Sequence, residues 1–201
     1  MLGKLEVVAA GVDLTPVRPK QLTVLGLLLL HAGEIVSSDE LVDALWGERR
    51  PKTAQTALHG HISALRKRLG AERIETRPPG YLLRLESGDE IDVRRFERLT
   101  AEAYANGPLL RAEKLREALA LFRGEPLADF LYDSFARSEA HRLEELRLEA
   151  LEERIEADLQ LGRHVQMLPE LERVIVEHPH RERLRGQLMV ALYRAGLAPL
   201  R

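Results

Sequence analysis

The chain is expected to be mainly α with a small β content: a winged helix-turn-helix domain followed by a tetratricopeptide-like α-helical repeat domain. Three observations predict this. A basic amphipathic stretch at 53–69 is followed almost at once by a short strand, a Pro-Pro-Gly turn and another strand. A helix-capping signal at Ser37-Ser38-Asp39-Glu40 places a further helix just before it. From about residue 92 onward the apolar spacing is helical throughout, with glycines 34 residues apart at Gly162 and Gly196.

The elements follow in order. Lys4–Val8 and Val12–Val17, separated by Gly11, have the short apolar runs of strands. A helix over 19–32 ends at the Ala32-Gly33 cap signal. Its run Leu22–Leu30 follows Arg18 and Lys20 and superficially resembles a targeting signal. It is too short to span a bilayer, and some twenty residues of strand-like sequence precede it, so it reads as a buried core helix. Ser37 caps the second helix, which carries Leu41, Leu45 and Trp46 and stops at Gly47. Trp46 is expected to anchor the core beneath that helix.

At 100° per residue, Leu58, Ile62, Leu65 and Leu69 form one narrow stripe of the 53–69 helix. The opposite side presents Thr53, Thr56, Gly60, Ser63 and Lys67, flanked by His59 and Arg66. Small and hydrogen-bonding groups with cations at one end suit a helix lying against base edges and phosphates. The segment Arg73–Leu85 then reads as the wing.

Charge supports this assignment locally rather than globally. The whole chain has a net charge of −2, which by itself argues against nucleic acid. Residues 33–48 hold five acids and no Lys or Arg, whereas 49–84 hold nine Lys/Arg against two acids. A concentrated patch is what engages a phosphate backbone, although a merely solvated face is the alternative for charge taken alone.

The chain divides near residue 90, giving domains 1–90 and 91–201, with the polar joint Leu85–Asp92 between them. Helices are expected from Asp92 to the Asn106-Gly107-Pro108 stop, over 109–123, 134–161, 164–177 and 181–195. The third of these should turn Leu143, Leu146, Ala150, Ile155 and Leu159 to a core. Its acids Glu144, Glu145, Glu149, Glu152 and Glu153 should form a wet face. Thirty-four is the tetratricopeptide period, and the pairs Ala157/Ala191 and Ile155/Met189 share the offset of the two glycines. Such repeats cover one another's apolar faces and commonly present a groove to a partner; an unspecialised helical bundle is the alternative.

Several motifs together resemble a known family. Leu27–Gly33, Leu41–Gly47, His61–Leu69 and Pro79-Gly80-Tyr81 look like the antibiotic regulatory protein (SARP) family. Asp92–Phe96, Ala118–Gly124, Arg142–Arg147 and Leu188–Arg194 continue the likeness in collinear order. The resemblance implies an OmpR-like winged helix followed by a bacterial transcriptional activator domain. It implies a transcriptional activator that binds promoter direct repeats, often as side-by-side pairs, and helps recruit RNA polymerase. It also implies a further helix completing the last repeat. The chain stops at Gly196–Arg201, where that helix would begin, so the second domain is expected to be incomplete at its C-terminus.

The candidate DNA-binding residues are Thr53, Thr56, His59, Gly60, Ser63, Arg66, Lys67 and Arg77. Thr56, His59, Gly60 and Ser63 would meet base edges, and Thr53, Arg66 and Lys67 phosphates; Arg77 at the wing tip would reach the minor groove. Gly60 fits a close approach to DNA as well as neutral drift on an exposed helix, and Arg68 lies nearer the protein side, where a salt bridge is expected. Glu48, Arg49 and Arg50 occupy the loop that resembles the polymerase-touching loop of OmpR-like domains.

The sequence argues against an enzyme. His59 and His61 lie about 200° apart around a helix and cannot chelate one metal. His178-Pro-His180 lacks a completing Cys or carboxylate pattern, and there is no phosphate-binding glycine loop or nucleophile elbow. Zero cysteines exclude disulfides and thiolate metal sites and fit a reducing cytoplasm. No cofactor, metal or membrane partner is expected. The expected partners are double-stranded promoter DNA, RNA polymerase and a second copy on DNA. The rival reading is a protein-interaction adaptor whose winged helix binds protein.

Overall fold

We describe residues 1–197 in a computed structural model. The last residues, 198–201, including most of the stop at Gly196–Arg201, lie outside the described residues. Two compact units form. The first is Met1–Asp92 with Arg123–Leu143, and the second is Val93–Phe122 with the chain from Glu144 onward.

The first unit begins with a two-residue ladder, β1 (Val8–Ala9) against β2 (Val12–Asp13), joined through Gly11 at φ 78°. The longer strands expected at 4–8 and 12–17 do not form. Met1, Leu2 and Leu5 are instead buried, and the backbone there meets a distant part of the chain. Arg123 N–H donates to the Leu2 carbonyl at 2.7 Å, and Leu127 N–H to that of Met1 at 2.9 Å. The Asp129 carboxylate accepts from Leu5 N–H at 2.6 Å. These contacts return residues 123–143 to the first unit, so the boundary drawn near residue 90 is one of chain order and not of packing.

Helix α1 (Pro19–Leu30) starts on a proline, whose missing N–H costs nothing at a first helical position. It buries Val24, Leu25, Leu27 and Leu28. β3 (Ile35–Ser37) follows, then α2 (Ser38–Trp46), where Ser37 Oγ accepts from Glu40 N–H at 3.1 Å as the capping signal predicts. α3 (Ala54–Leu69) buries Ala54, Leu58, Ile62 and Leu65. Each of its fully buried Leu and Ile side chains contributes about 1.5–3 kcal/mol relative to exposure. Leu69, expected on the same stripe, is only half-buried at the helix end. β4 (Ile74–Arg77) and β5 (Gly80–Leu83) complete a three-stranded antiparallel sheet in the order β3-β5-β4.

The second unit is entirely helical: α4 (Asp92–Tyr104, which starts at the boundary residue), α5 (Pro108–Leu119), the later part of α6 (Ser134–Gln160), α7 (His164–Glu177) and α8 (Glu182–Arg194). Ile155, Leu159, Leu171, Val174, Leu184 and Ala191 form its core, and Phe96 meets Phe122 edge-on at 5.1 Å. Gly162 and Gly196 both adopt positive φ, 78° and 74°, at the equivalent turn of the 34-residue offset. Ala157 and Ala191 are both fully buried, as that offset requires. Ile155 and Met189 part company: Ile155 is buried while Met189 is 64% exposed, because no element among the described residues lies over that side of α8.

Of the wet face expected on α6 only Glu149 is exposed, and Glu144, Glu145 and Glu153 are half-buried. Glu152 is buried, with Arg181 and Arg183 at 3.9 Å, and burial pushes its carboxyl pKa up. Helical spacing placed it beside Glu145 and Glu149, but α8 packs there. Gln187 Nε2 donates to the Glu152 carbonyl at 2.8 Å.

Candidate nucleic-acid interface

α3 is presented by packing its apolar stripe on α1 and α2. The outward side then follows from helical geometry. Thr53, Thr56, His59, Gly60, Ser63 and Lys67 are all exposed, and a Cβ at Gly60 would meet nothing within 4 Å. Thr53 stands at the N-cap position without a side-chain hydrogen bond to the helix. Six of the eight predicted DNA-facing residues thus lie on one open surface of one helix.

Arg66 does not share that freedom. Its Nε donates to the Ile74 carbonyl and its Nη2 to Thr76 Oγ1, both at 2.8 Å. It fastens the helix to the wing, because its position between the stripe and the outer face points it at β4. Arg68 is exposed but also engaged, donating through Nε to the Leu14 carbonyl at 2.8 Å, a hydrogen bond rather than the expected salt bridge.

The wing tip is built by close approach. Gly80 pairs with both Ser37 and Arg77. A Cβ there would fall deep inside contact with the Val36 carbonyl oxygen and 2.7 Å from Ser37 Cα, so only glycine lets β5 lie against β3. Ser38 N–H donates to the Pro79 carbonyl at 3.1 Å, tying the turn to the start of α2. Arg77 sits at this tip, 61% exposed, with Nε donating to Glu75 Oε2 at 2.8 Å. Beneath it Tyr81 is buried, which raises its phenol pKa against the opposing pull of Arg66.

The basic patch is smaller in effect than its residue count. Arg50 reaches Asp39 at 3.1 Å, Arg73 pairs with Glu86 and Asp89, and Arg77 and Arg84 share Glu75. Among the described residues Arg49, Lys52 and Lys67 carry no ion pair, and all three are exposed. Glu48, Arg49 and Arg50 lie on an exposed 3-10 turn and its exit, between α2 and α3.

Trp46 is only half-buried, contrary to the expected core anchor. Lys20 Nζ sits 4.3 Å above its ring and His61 lies 6.4 Å away. Partial burial, then Lys20 and Arg18, hold the His61 pKa below the usual imidazole value. Sequence spacing missed this cluster because its members come from three helices. Among the described residues no group of three or more His, Cys, Asp or Glu could hold a metal ion. Among them, too, no helix is long and apolar enough to cross a membrane.

A winged helix offering a small, polar helix face, followed by helical repeats, defines a winged-helix transcriptional regulator. Comparison with known proteins agrees. The Bacterial transcriptional activator domain family matches residues 91–198, and the family "Transcriptional regulatory protein, C terminal" matches 12–83. Regulatory protein DnrI of Streptomyces peucetius is 40% identical over 98% of this chain and 77% of its own length. Regulatory protein AfsR of Streptomyces griseus is 39% identical over 89% of this chain, which spans only 18% of AfsR. The structure of Mycobacterium tuberculosis EmbR, in complex with a low-affinity phosphopeptide, superposes with a TM-score of 0.92 at 30% identity. It covers 98% of this chain and 54% of that one. The chain belongs to the antibiotic regulatory protein (SARP) family of transcriptional activators.

Proposed function

We propose that this chain is a cytoplasmic activator, not an enzyme, that recognises promoter DNA by laying α3 in the major groove. The observation that carries the reading is the outer face of α3. Thr56, His59, Gly60 and Ser63 are small or hydrogen-bonding and exposed, a Cβ at Gly60 would meet nothing within 4 Å, and Thr53 and Lys67 bracket them at the two ends. That is the distribution of a helix whose middle meets base edges and whose ends meet phosphates. Arg77 at the wing tip would enter the adjacent minor groove.

The family relationship supports two finer parts of the proposal. Two protomers would bind side by side on direct repeats, and the turn at Glu48, Arg49 and Arg50 would touch RNA polymerase. Arg49 is the better placed of the two arginines, since Asp39 already engages Arg50.

The competing adaptor reading draws on the second unit. There a recess of about 580 Å³ is lined by Leu119, Leu148, Leu151 and Val174 together with charged residues that include Arg147, Arg173 and the buried Arg154. Selection of genomic fragments by the purified chain at two salt concentrations separates the readings. A DNA-binding activator retains a direct-repeat motif and weakens steeply as salt rises, whereas an adaptor retains none.

A further inference from the structure

Along β4 side chains alternate in direction, so Glu75 and Arg77 stand on one face of the wing and Ile74 and Thr76 on the other. Arg66 ties this strand to α3, through hydrogen bonds to the Ile74 backbone carbonyl and to Thr76 Oγ1. The first pair is occupied with itself. Arg77 places Nε at 2.8 Å and Nη2 at 2.7 Å from a single oxygen, Glu75 Oε2. The other oxygen, Oε1, faces Arg84 Nη1 at 3.8 Å from the neighbouring strand's exit. The Glu75 side chain is only 27% exposed, while the Arg77 and Arg84 side chains are 61% and 58% exposed. One partly covered acid therefore holds both of the wing's outward-facing cations, and it is one of only two acids within 49–84.

We infer that Glu75 limits the DNA affinity of the wing by holding Arg77 and Arg84 in the free protein, so that a phosphate backbone must displace its carboxylate before either cation can engage. The inference rests on the DNA-binding reading above. An exposed ion pair is weak enough for a phosphate to exchange into, since guanidinium–phosphate pairing is at least as favourable as guanidinium–carboxylate pairing. Exchange leaves a carboxylate beside the phosphates, and that repulsion remains in the complex. Glu75 thus acts through Arg77 and Arg84 as a positioning residue that lowers the wing's affinity for a phosphate backbone.

The test measures binding of the whole chain to a fluorescent mixed-sequence duplex across a salt series. Glu75→Gln keeps the side-chain shape and removes the charge. It should bind about fivefold tighter than the unaltered protein near 0.1 M salt, with the slope of log K against log salt steeper by about one. Glu72→Gln removes an equal charge from the turn before the strand and should gain less than roughly twofold. In an Arg77→Ala/Arg84→Ala background, the gain from Glu75→Gln should fall below roughly twofold, because both held cations are gone. An equal gain from Glu72→Gln, or an undiminished gain without Arg77 and Arg84, would show a plain charge effect and overturn the inference. Salt-sensitive binding by the unaltered protein with no gain from Glu75→Gln overturns it while leaving the DNA-binding reading intact. Absence of salt-sensitive binding by every protein overturns both.

Discussion

Gly60 is the residue at which stability and function pull apart most cleanly. A mid-helix glycine costs about 1 kcal/mol relative to alanine, and here a Cβ would meet nothing within 4 Å. Gly60→Ala should therefore raise the unfolding free energy by about 1 kcal/mol in denaturant titration. If α3 approaches DNA backbone-close, the same variant should bind its selected fragment at least about tenfold more weakly, the scale of one spoiled base contact. A stabilised variant with unchanged DNA affinity would assign Gly60 to drift. Helical periodicity sufficed to place this face, because the burial of Leu58, Ile62 and Leu65 leaves only one way for the helix to turn. It did not reveal which cations are engaged. Arg66 and Lys67 look alike in the sequence, yet one is fastened to Ile74 and Thr76 and the other is free to meet solvent.

Among the elements, the wing shows how a short motif can encode a close approach. Pro78-Pro79-Gly80 was legible as a turn, but the reason for the glycine lay in β3, a three-residue strand too short to show any period. Gly80→Ala would drive a methyl group into the Val36 carbonyl oxygen. We expect it to destabilise the first unit by more than about 2 kcal/mol and to lower DNA binding along with stability, measured by denaturant titration and duplex titration in parallel. Unchanged stability would mean that β5 can shift away from β3. Helices α4 to α8 were legible within a few residues from their glycine and proline stops, and the 34-residue offset survives in the paired turns at Gly162 and Gly196. The burial of Glu152 and the exposure of Met189 were not, since both depend on what packs beside α6 and α8.

For the molecule as a whole, the least legible feature was the return of residues 123–143 to the first unit. Phe130 is almost fully buried, and its ring lies so close to α1 that a Cβ at Gly26 would come within 2.6 Å of it. No local pattern announces a contact between residues so far apart in the chain. The two tasks proposed for the molecule, holding DNA and touching polymerase, are assigned to different elements of the first unit, α3 with the wing and the turn before α3. Arg49→Ala with Arg50→Ala should accordingly lower promoter-dependent transcription in a reconstituted assay while changing duplex affinity less than roughly threefold, the scale of losing exposed charges. Equal loss of both would remove the polymerase-contact role. The most direct measurement of the central claim is the genomic fragment selection repeated with Ser63→Ala/Lys67→Ala. The account predicts a direct-repeat motif that the unaltered chain enriches and the variant loses, with the variant still folded. Enrichment of the same motif by both proteins, or of none by either, would contradict recognition through the outer face of α3.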